Sequence, residues 1–502
     1  MRKLSFLCSI LLLTPALSFA GYHQDQFPQP YQAQLIQDFE KLLALPNDLT
    51  QPENQKQNAQ EIIRLFKQRG IQAQLLLPEN DHIPPVVFAE WKVPGATKTL
   101  LFYAHYDGVT PNPEKWTVTQ PYHPVLLSLS IENGGKPVTA EQQYNPDWRL
   151  YARSAADDKA GVMAILGAIS ALKATSTLPA VNLKFIIEGE EETGSDYLEQ
   201  VLKANHDLVK SDDWIIIDGG VHASGRKALI FGARGDMYMD LTVYGAKHPL
   251  HSGEYSSFAP NPAMRLAKLI SSMQDDKGHV LIKGFYAGVE PLGKQELAAI
   301  AETPNVDRQL KAQLGFAREE TTGKTLAEDN NQPSLIIRGI NSGAVGNAAV
   351  NLIPSTASAS IEMRLVKGND WQKMADNLMQ HIRQQGYVVL DHDPTDTERA
   401  RYPFIAKITM GTGSYNAERI PVDSPFAKWV IKAVKSASKQ PVVIQPTDGG
   451  SLPLVAIRNA TGAQSMSIGF VNYDNDQHAE NENVRLGNFF DGIDTILAIM
   501  KR

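Results

Sequence analysis

Ala160–Lys173 (AGVMAILGAISALK), Val181–Glu188 (VNLKFIIE) and the acid-rich sequel Gly189-Glu190-Glu191-Glu192-Thr193-Gly194-Ser195 form the stretch on which the architecture turns. The first segment is helix-like, whereas the second is an apolar run of strand length ending in an acid. Trp214–Asp218 repeats that ending, and upstream Leu35–Leu45 and Asn58–Arg69 read as helices, Pro85–Trp91 and Thr99–Ala104 as strands. Buried strands alternating with helices predict an α/β domain whose central, mostly parallel sheet is flanked by helices. Acidic and histidine residues stand where these strands end, the edge at which open α/β sheets carry their sites.

The pattern changes near Arg234. Met237–Val243, Ser334–Ile340 and Ala357–Leu365 alternate as half-exposed antiparallel strands do, and Pro262–Met273 and Trp371–Gln385 are amphipathic. Phe426–Ala437 and Ala463–Val471 then return to the first style. The expected layout is a catalytic domain split into residues 21–235 and 411–502 around an inserted α+β domain, 236–410, with the return crossing inside Asp391–Ser424.

With 502 residues, 43% of them hydrophobic and 21% charged, the chain can bury large cores and is far from a disordered composition. Met1–Ala20 has a basic start, an apolar run Leu4–Leu13 and small residues at Ser18 and Ala20, the layout of a cleaved export signal, so a periplasmic or secreted protein is expected. Its loss, with Arg2 and Lys3, takes the formal charge from −7 to −9. An acidic chain argues against nucleic acid as a partner, and no later run is apolar enough for a stable membrane anchor. The one cysteine, Cys8, lies inside the signal, which excludes a disulfide, a thiolate metal ligand and a thiol nucleophile in the mature chain.

Taken singly, the polar motifs are ambiguous. His105-Tyr106-Asp107 suits either a loop or an imidazole oriented by a carboxylate. Asp157-Asp158-Lys159 suits acidic capping of the following helix. The run Glu188-Gly189-Glu190-Glu191-Glu192 suits a solvated loop, but acids at the end of a buried strand are costly unless cations compensate them. Together with Asp218 and His478 they form a set of imidazoles and hard oxygens suited to zinc or manganese. Gly449-Gly450-Ser451 reads either as a turn or as a backbone-and-hydroxyl cradle for a free carboxylate.

The ordered series His105-x-Asp107, Asp157-Asp158-Lys159, Glu191-Glu192-Thr193-Gly194-Ser195, Asp218, His251-Ser252-Gly253 and Gly449-Gly450-Ser451 followed by His478 resembles the di-zinc peptidase family of carboxypeptidase G, aminoacylase and carnosine dipeptidase. The resemblance spans essentially the whole mature chain and is strongest to the dipeptidase branch, which has a comparable Phe-Tyr segment, here Phe285-Tyr286, before a helical excursion. It implies two divalent cations per subunit, zinc foremost and manganese or cobalt as alternatives. Asp157 would bridge them, with His105 and Asp218 on one and Glu192 and His478 on the other. Glu191 would be the general base, Asp107 the orienter of His105, and His251 a stabiliser of the developing oxyanion. The acidic run also allows the pair Glu190-Glu191; the Thr-Gly-Ser that follows favours Glu191-Glu192, as in the family. Only His251, not His248, is followed by Ser-Gly. In the resembling dipeptidases this histidine serves the other subunit, so a homodimer is implied and the insertion becomes a lid and dimerisation domain. Asn351 and Arg364 match substrate-contacting positions, and a guanidinium fork suits a substrate carboxylate. The activity implied is hydrolysis of dipeptides or short peptides with a free C-terminal carboxylate; an N-acyl-amino-acid amidohydrolase or a carboxypeptidase on longer peptides is the alternative. The family has Gly-Arg-Gly where this chain has Ala152-Arg153-Ser154, and Gly where it has Ala160.

Overall fold

The apolar run that ends at Glu188 forms the strand Asn182–Glu188, third in an eight-stranded sheet. The order is Gln72–Leu76, Val86–Trp91, Asn182–Glu188, Thr99–His105, Asp213–Ile216, Gln464–Gly469, Ala228–Ile230 and Val443–Gln445. The architecture is that of a computed structural model describing residues 29–49, 51–77, 80, 83–139, 144–320 and 324–502. The expected export signal, 1–20, lies outside the described residues. Among the described residues no helix is long and apolar enough to cross a membrane.

The sheet is mixed, with four of its seven neighbouring pairs parallel, in keeping with a mostly parallel sheet. Its four central strands run parallel, as do Ala228–Ile230 and Val443–Gln445, whereas the other neighbours pair antiparallel. At one margin the reason is local: the chain between Leu76 and Val86 is shorter than the roughly dozen residues that a parallel crossover needs.

The helix Lys159–Ala174 packs into this layer and is buried almost all round. Asp158 caps it, accepting from Gly161 N at 3.0 Å. A Cβ on Gly161 would lie 2.2 Å from Ile217 O, so glycine lets the helix start against the sheet. Lys159 is buried with it because its ammonium donates to Leu42 O and Leu45 O, both at 2.8 Å.

The second lobe is a five-stranded sheet in the order Ser334–Asn341, Thr356–Leu365, Gly235–Tyr244, Ile405–Met410 and Val388–Leu390. Thr356–Leu365 alternates strictly, turning Ala357, Ala359, Ile361, Met363 and Leu365 into a core shared with the helices Pro262–Ser271 and Trp371–Gln384. Fully burying each larger aliphatic side chain contributes about 1.5–3 kcal/mol. The strands of this sheet run from Gly235 to Met410, and Glu418–Arg419 then pairs with Gly232–Ala233. The outgoing and returning segments therefore touch. A Cβ on Gly235 would come within 2.5 Å of Tyr415 O and Ala417 N, which is why glycine stands at the crossing.

Candidate active site

The His105, Glu191-Glu192 and Asp218 motifs each stand at or just after the end of a strand of the large sheet, at the same edge. Thr99–His105 delivers His105 at its last position, paired across the sheet with Glu188. Asp218 follows Asp213–Ile216 by two residues. Asp157 precedes the helix whose cap is Asp158, so the two readings of the Asp-Asp pair divide between its members: Asp158 serves the helix and Asp157 faces the site. The peptide joining them is cis.

His105 Nε2 lies 2.9 Å from Asp157 Oδ1 and 3.8 Å from Asp218 Oδ2. His478 Nε2 lies 3.1 Å from Asp157 Oδ2 and 3.0 Å from Glu192 Oε2. Two groups result, His105–Asp157–Asp218 and Asp157–Glu192–His478; within each, ligand atoms are within 4.8 Å of one another, and Asp157 is shared. Glu191 Oε2 approaches His105 Nε2 at 3.9 Å without belonging to either. Asp107 is fully buried, with Oδ1 3.2 Å from His105 Nδ1. Its carboxylate also accepts from Glu191 N at 3.1 Å and Glu192 N at 3.0 Å, tying the imidazole to the acidic turn.

The electrostatics describe a nest of carboxylates with too little positive charge. Burial, reinforced by the charge of Asp157, pushes Asp218 up to about 7. Glu191 is raised well above the carboxylate range by burial and by Asp218 and Asp157, against the pull of His105. Asp157, which burial alone would raise, is instead held low by hydrogen bonds to the two imidazoles. Burial would lower His105, but Asp107, Asp157 and Glu191 outweigh it and raise the imidazole; Asp157 and Glu192 push His478 to about 11. Two clusters, each of one imidazole and two carboxylates, repelling acids and a shared Asp157 make a donor set that fits divalent cations.

This cluster opens on two cavities of about 670 and 720 Å³, which share Glu191, Gly450, Ser451 and His478 in their walls. The second contains Arg364, whose Nη1 donates to Ser451 Oγ at 2.8 Å. The cradle reading of Gly450 needs correction, because its N–H already donates to Asp448 Oδ2 at 3.1 Å; the hydroxyl of Ser451 and the guanidinium remain. His251 and Asn351 stand elsewhere. Both are exposed at a two-stranded ribbon, Leu250–His251 against Leu352–Ile353, and neither lines the two cavities.

Sequence reasoning passed over Tyr415, which lines the cavity beside Ser451 and is pushed to about 12 mainly by burial. Glu188, read from the sequence only as part of the acidic run and given no role of its own, is fully buried, accepts from Tyr103 Oη at 2.5 Å and is raised by burial to about 8. The charge of Glu188 at a strand end was a visible signal; nothing in Gly413-Ser414-Tyr415 pointed to the tyrosine.

Known proteins resemble this chain along nearly its whole length. Human Beta-Ala-His dipeptidase is 26% identical over 96% of this chain and 90% of its own. The Cys-Gly metallodipeptidase DUG1 of Candida albicans is 26% identical over 86% of this chain and 84% of its own. Among solved structures, the M20 family metallo-carboxypeptidase Sso-CP2 from Sulfolobus solfataricus superposes with a TM-score of 0.76 at 28% identity, covering 93% of this chain and 98% of that one. The model of peptidase family M20/M25/M40 matches residues 101–502, from the strand that carries His105 to the last residue, and the chain belongs to that family.

Proposed function

We propose that the protein is a divalent-cation-dependent peptidase that hydrolyses dipeptides and short peptides bearing a free C-terminal carboxylate. The observation that carries the reading is the shared position of Asp157 between two imidazole–carboxylate groups, with Glu191 beside them in a wall common to both cavities. His105, Asp157 and Asp218 would hold one cation and Asp157, Glu192 and His478 the other, zinc foremost, with manganese or cobalt as alternatives. When bound, such cations supply Lewis acidity that polarises the scissile carbonyl and acidifies water.

The chain's own groups do the rest. Glu191 takes the proton of the attacking water on its carboxylate and returns it to the departing amine nitrogen, a task helped by its raised proton affinity. Asp107 fixes that carboxylate through the backbone N–H groups of Glu191 and Glu192. Arg364 and Ser451, already in contact, bind the substrate carboxylate and set the distance from the chain end to the bond cleaved.

His251 and Asn351 reach a site only in a homodimer, in which each would serve the other copy's cavity. Their exposure supports this, as do Phe258, Val345 and Val350, apolar residues 89%, 86% and 72% exposed on the same lobe. Export to the periplasm or medium rests on the Met1–Ala20 pattern. A carboxypeptidase acting on longer peptides is the second reading, favoured by the likeness to the Sulfolobus enzyme.

Purified protein loaded with zinc or manganese should cleave unblocked dipeptides and spare their C-terminal amides. Preferential cleavage of longer peptides or N-acetyl amino acids would transfer the assignment to the alternatives. Absence of turnover on all of them would sink the peptidase reading.

A further inference from the structure

A deeply buried ion pair lies beside the cation cluster. Arg153 and Glu482 are 3% and 1% exposed, and Arg153 Nη1 donates to Glu482 Oε2 at 2.7 Å. The same carboxylate accepts three backbone N–H groups, Ser154 on Oε2 and Ala156 and Asp157 on Oε1, each at 2.9 Å. Every one of these partners is a donor, and together they oppose the burial that pushes Glu482 up to about 7. From its other side Arg153 Nη2 donates to Ala479 O at 2.9 Å, the residue after His478. One pair thus grips both the loop that ends in Asp157 and the loop that carries His478.

Both loops need gripping. Ser154 has φ of 61°, His478 63° and Asn481 62°, left-handed conformations that side-chain-bearing residues adopt at a cost and keep only where surrounding contacts over-determine them. Ser154 is the position at which the resembling enzymes carry glycine, which takes such a conformation freely. A buried ion pair is poor evidence of a stabilising role, because its desolvation offsets its attraction. Its remaining hydrogen bonds run instead to the backbone of two ligand-bearing loops, Glu482 accepting from one and Arg153 donating to the other.

The geometry points to Glu482, acting with Arg153, as the positioning residue that sets Asp157 and His478 at the mutual distance a cation requires. This rests on the reading of the two imidazole–carboxylate groups as cation sites. Contacts of this kind behind metal ligands typically govern about 10–100-fold in metal affinity.

The test is a zinc titration of the full-length protein against a chromophoric chelator, with far-UV circular dichroism of the metal-free form and KM and kcat for an unblocked dipeptide. Glu482→Gln should weaken the looser of the two zinc-binding steps by about 10–100-fold, leave the dichroism and KM unchanged, and recover kcat as zinc is raised. Arg153→Lys keeps a cation but cannot serve Glu482 and Ala479 O together, and should show a smaller loss in the same step. It decides the matter if Glu482→Gln does not fold. Folded variants that bind both zinc ions within about twofold of wild type would overturn the proposal while leaving the peptidase reading intact. A wild-type protein that binds no zinc would instead overturn the cation sites themselves.

Discussion

At the edge of the eight-stranded sheet His105, Asp107, Asp157 and Asp158 are buried and each touches another member of the cluster, whereas on the five-stranded lobe His251 and Asn351 stand in solvent on a short ribbon. The hydrogen bonds of His251 are equally local: its Nδ1 accepts from Gly253 N at 3.1 Å, two residues on. The first region is complete within one chain because four strands and a helix converge on it. The second carries side chains of the same chemical type with no same-chain cavity to serve. The difference teaches that residue type alone does not make a site: burial and cross-bracing do, or a second copy must supply them.

The sharpest way to break this comparison is at the cluster's unshared acid. Glu191→Gln should keep zinc stoichiometry and lower kcat by about 10²–10⁴-fold, the range of general acid–base catalysis. Rate assays beside metal analysis would show it, and a fully active variant would remove Glu191 from the role of base.

The exposed region is tested by complementation. His251→Ala should fold normally and lose about 10²–10³-fold in kcat if its imidazole faces a developing oxyanion. Mixed with Glu191→Gln under conditions that let subunits exchange, it should recover roughly a quarter of wild-type turnover, since half the dimers are mixed and each holds one complete site. No recovery from an exchanged mixture would place His251 in its own chain's chemistry or in none.

Arg364 joins the two regions, projecting from the five-stranded sheet to Ser451. Arg364→Lys preserves the charge that faces Asp236 and Glu362 but loses the fork. The expected loss is about 10-fold in kcat/KM for free dipeptides, equivalent to one charge-assisted hydrogen bond, with little change for C-terminal amides.

The smallest effect is on stability. Asp218, near 7, and Glu188, near 8, are raised above the ordinary carboxylate value by burial. In the metal-free protein the folded state keeps protons that the unfolded chain has released, so their stabilising contribution is present at low pH and is lost as pH rises through about 7–8. His105, also raised, acts in the same direction, and His478, half exposed, adds less. Melting temperature of the metal-free protein should fall by several degrees between about pH 5 and 8, and zinc should restore it by binding the folded state alone. A flat profile would show that the carboxylate nest is neutralised by another route.

Much of the large lobe was legible because its signals are local. Apolar runs of strand length end at Glu188 and near Asp218, and the helix after Asp158 starts within a residue of its expected position. The alternation of Thr356–Leu365 likewise announced a half-exposed strand. Illegible were the antiparallel margins of the sheet, which depend on where connections return, and the occupation of Gly450 N by Asp448, which depends on a turn's orientation.

Sequence by itself therefore determined the element types, the donor chemistry gathered at strand ends and, through ordered motifs, the family, because periodicity and side-chain chemistry are properties of short segments. The ordered motifs also implied which donors share a cluster; tertiary structure alone decided that Asp158 caps the helix, accepting from Gly161 N, and that Arg153 meets Glu482 across 329 positions of chain. Such meetings depend on the path of every intervening element and on the burial they jointly create, and that burial turns ordinary acids and imidazoles into a nest that calls for cations.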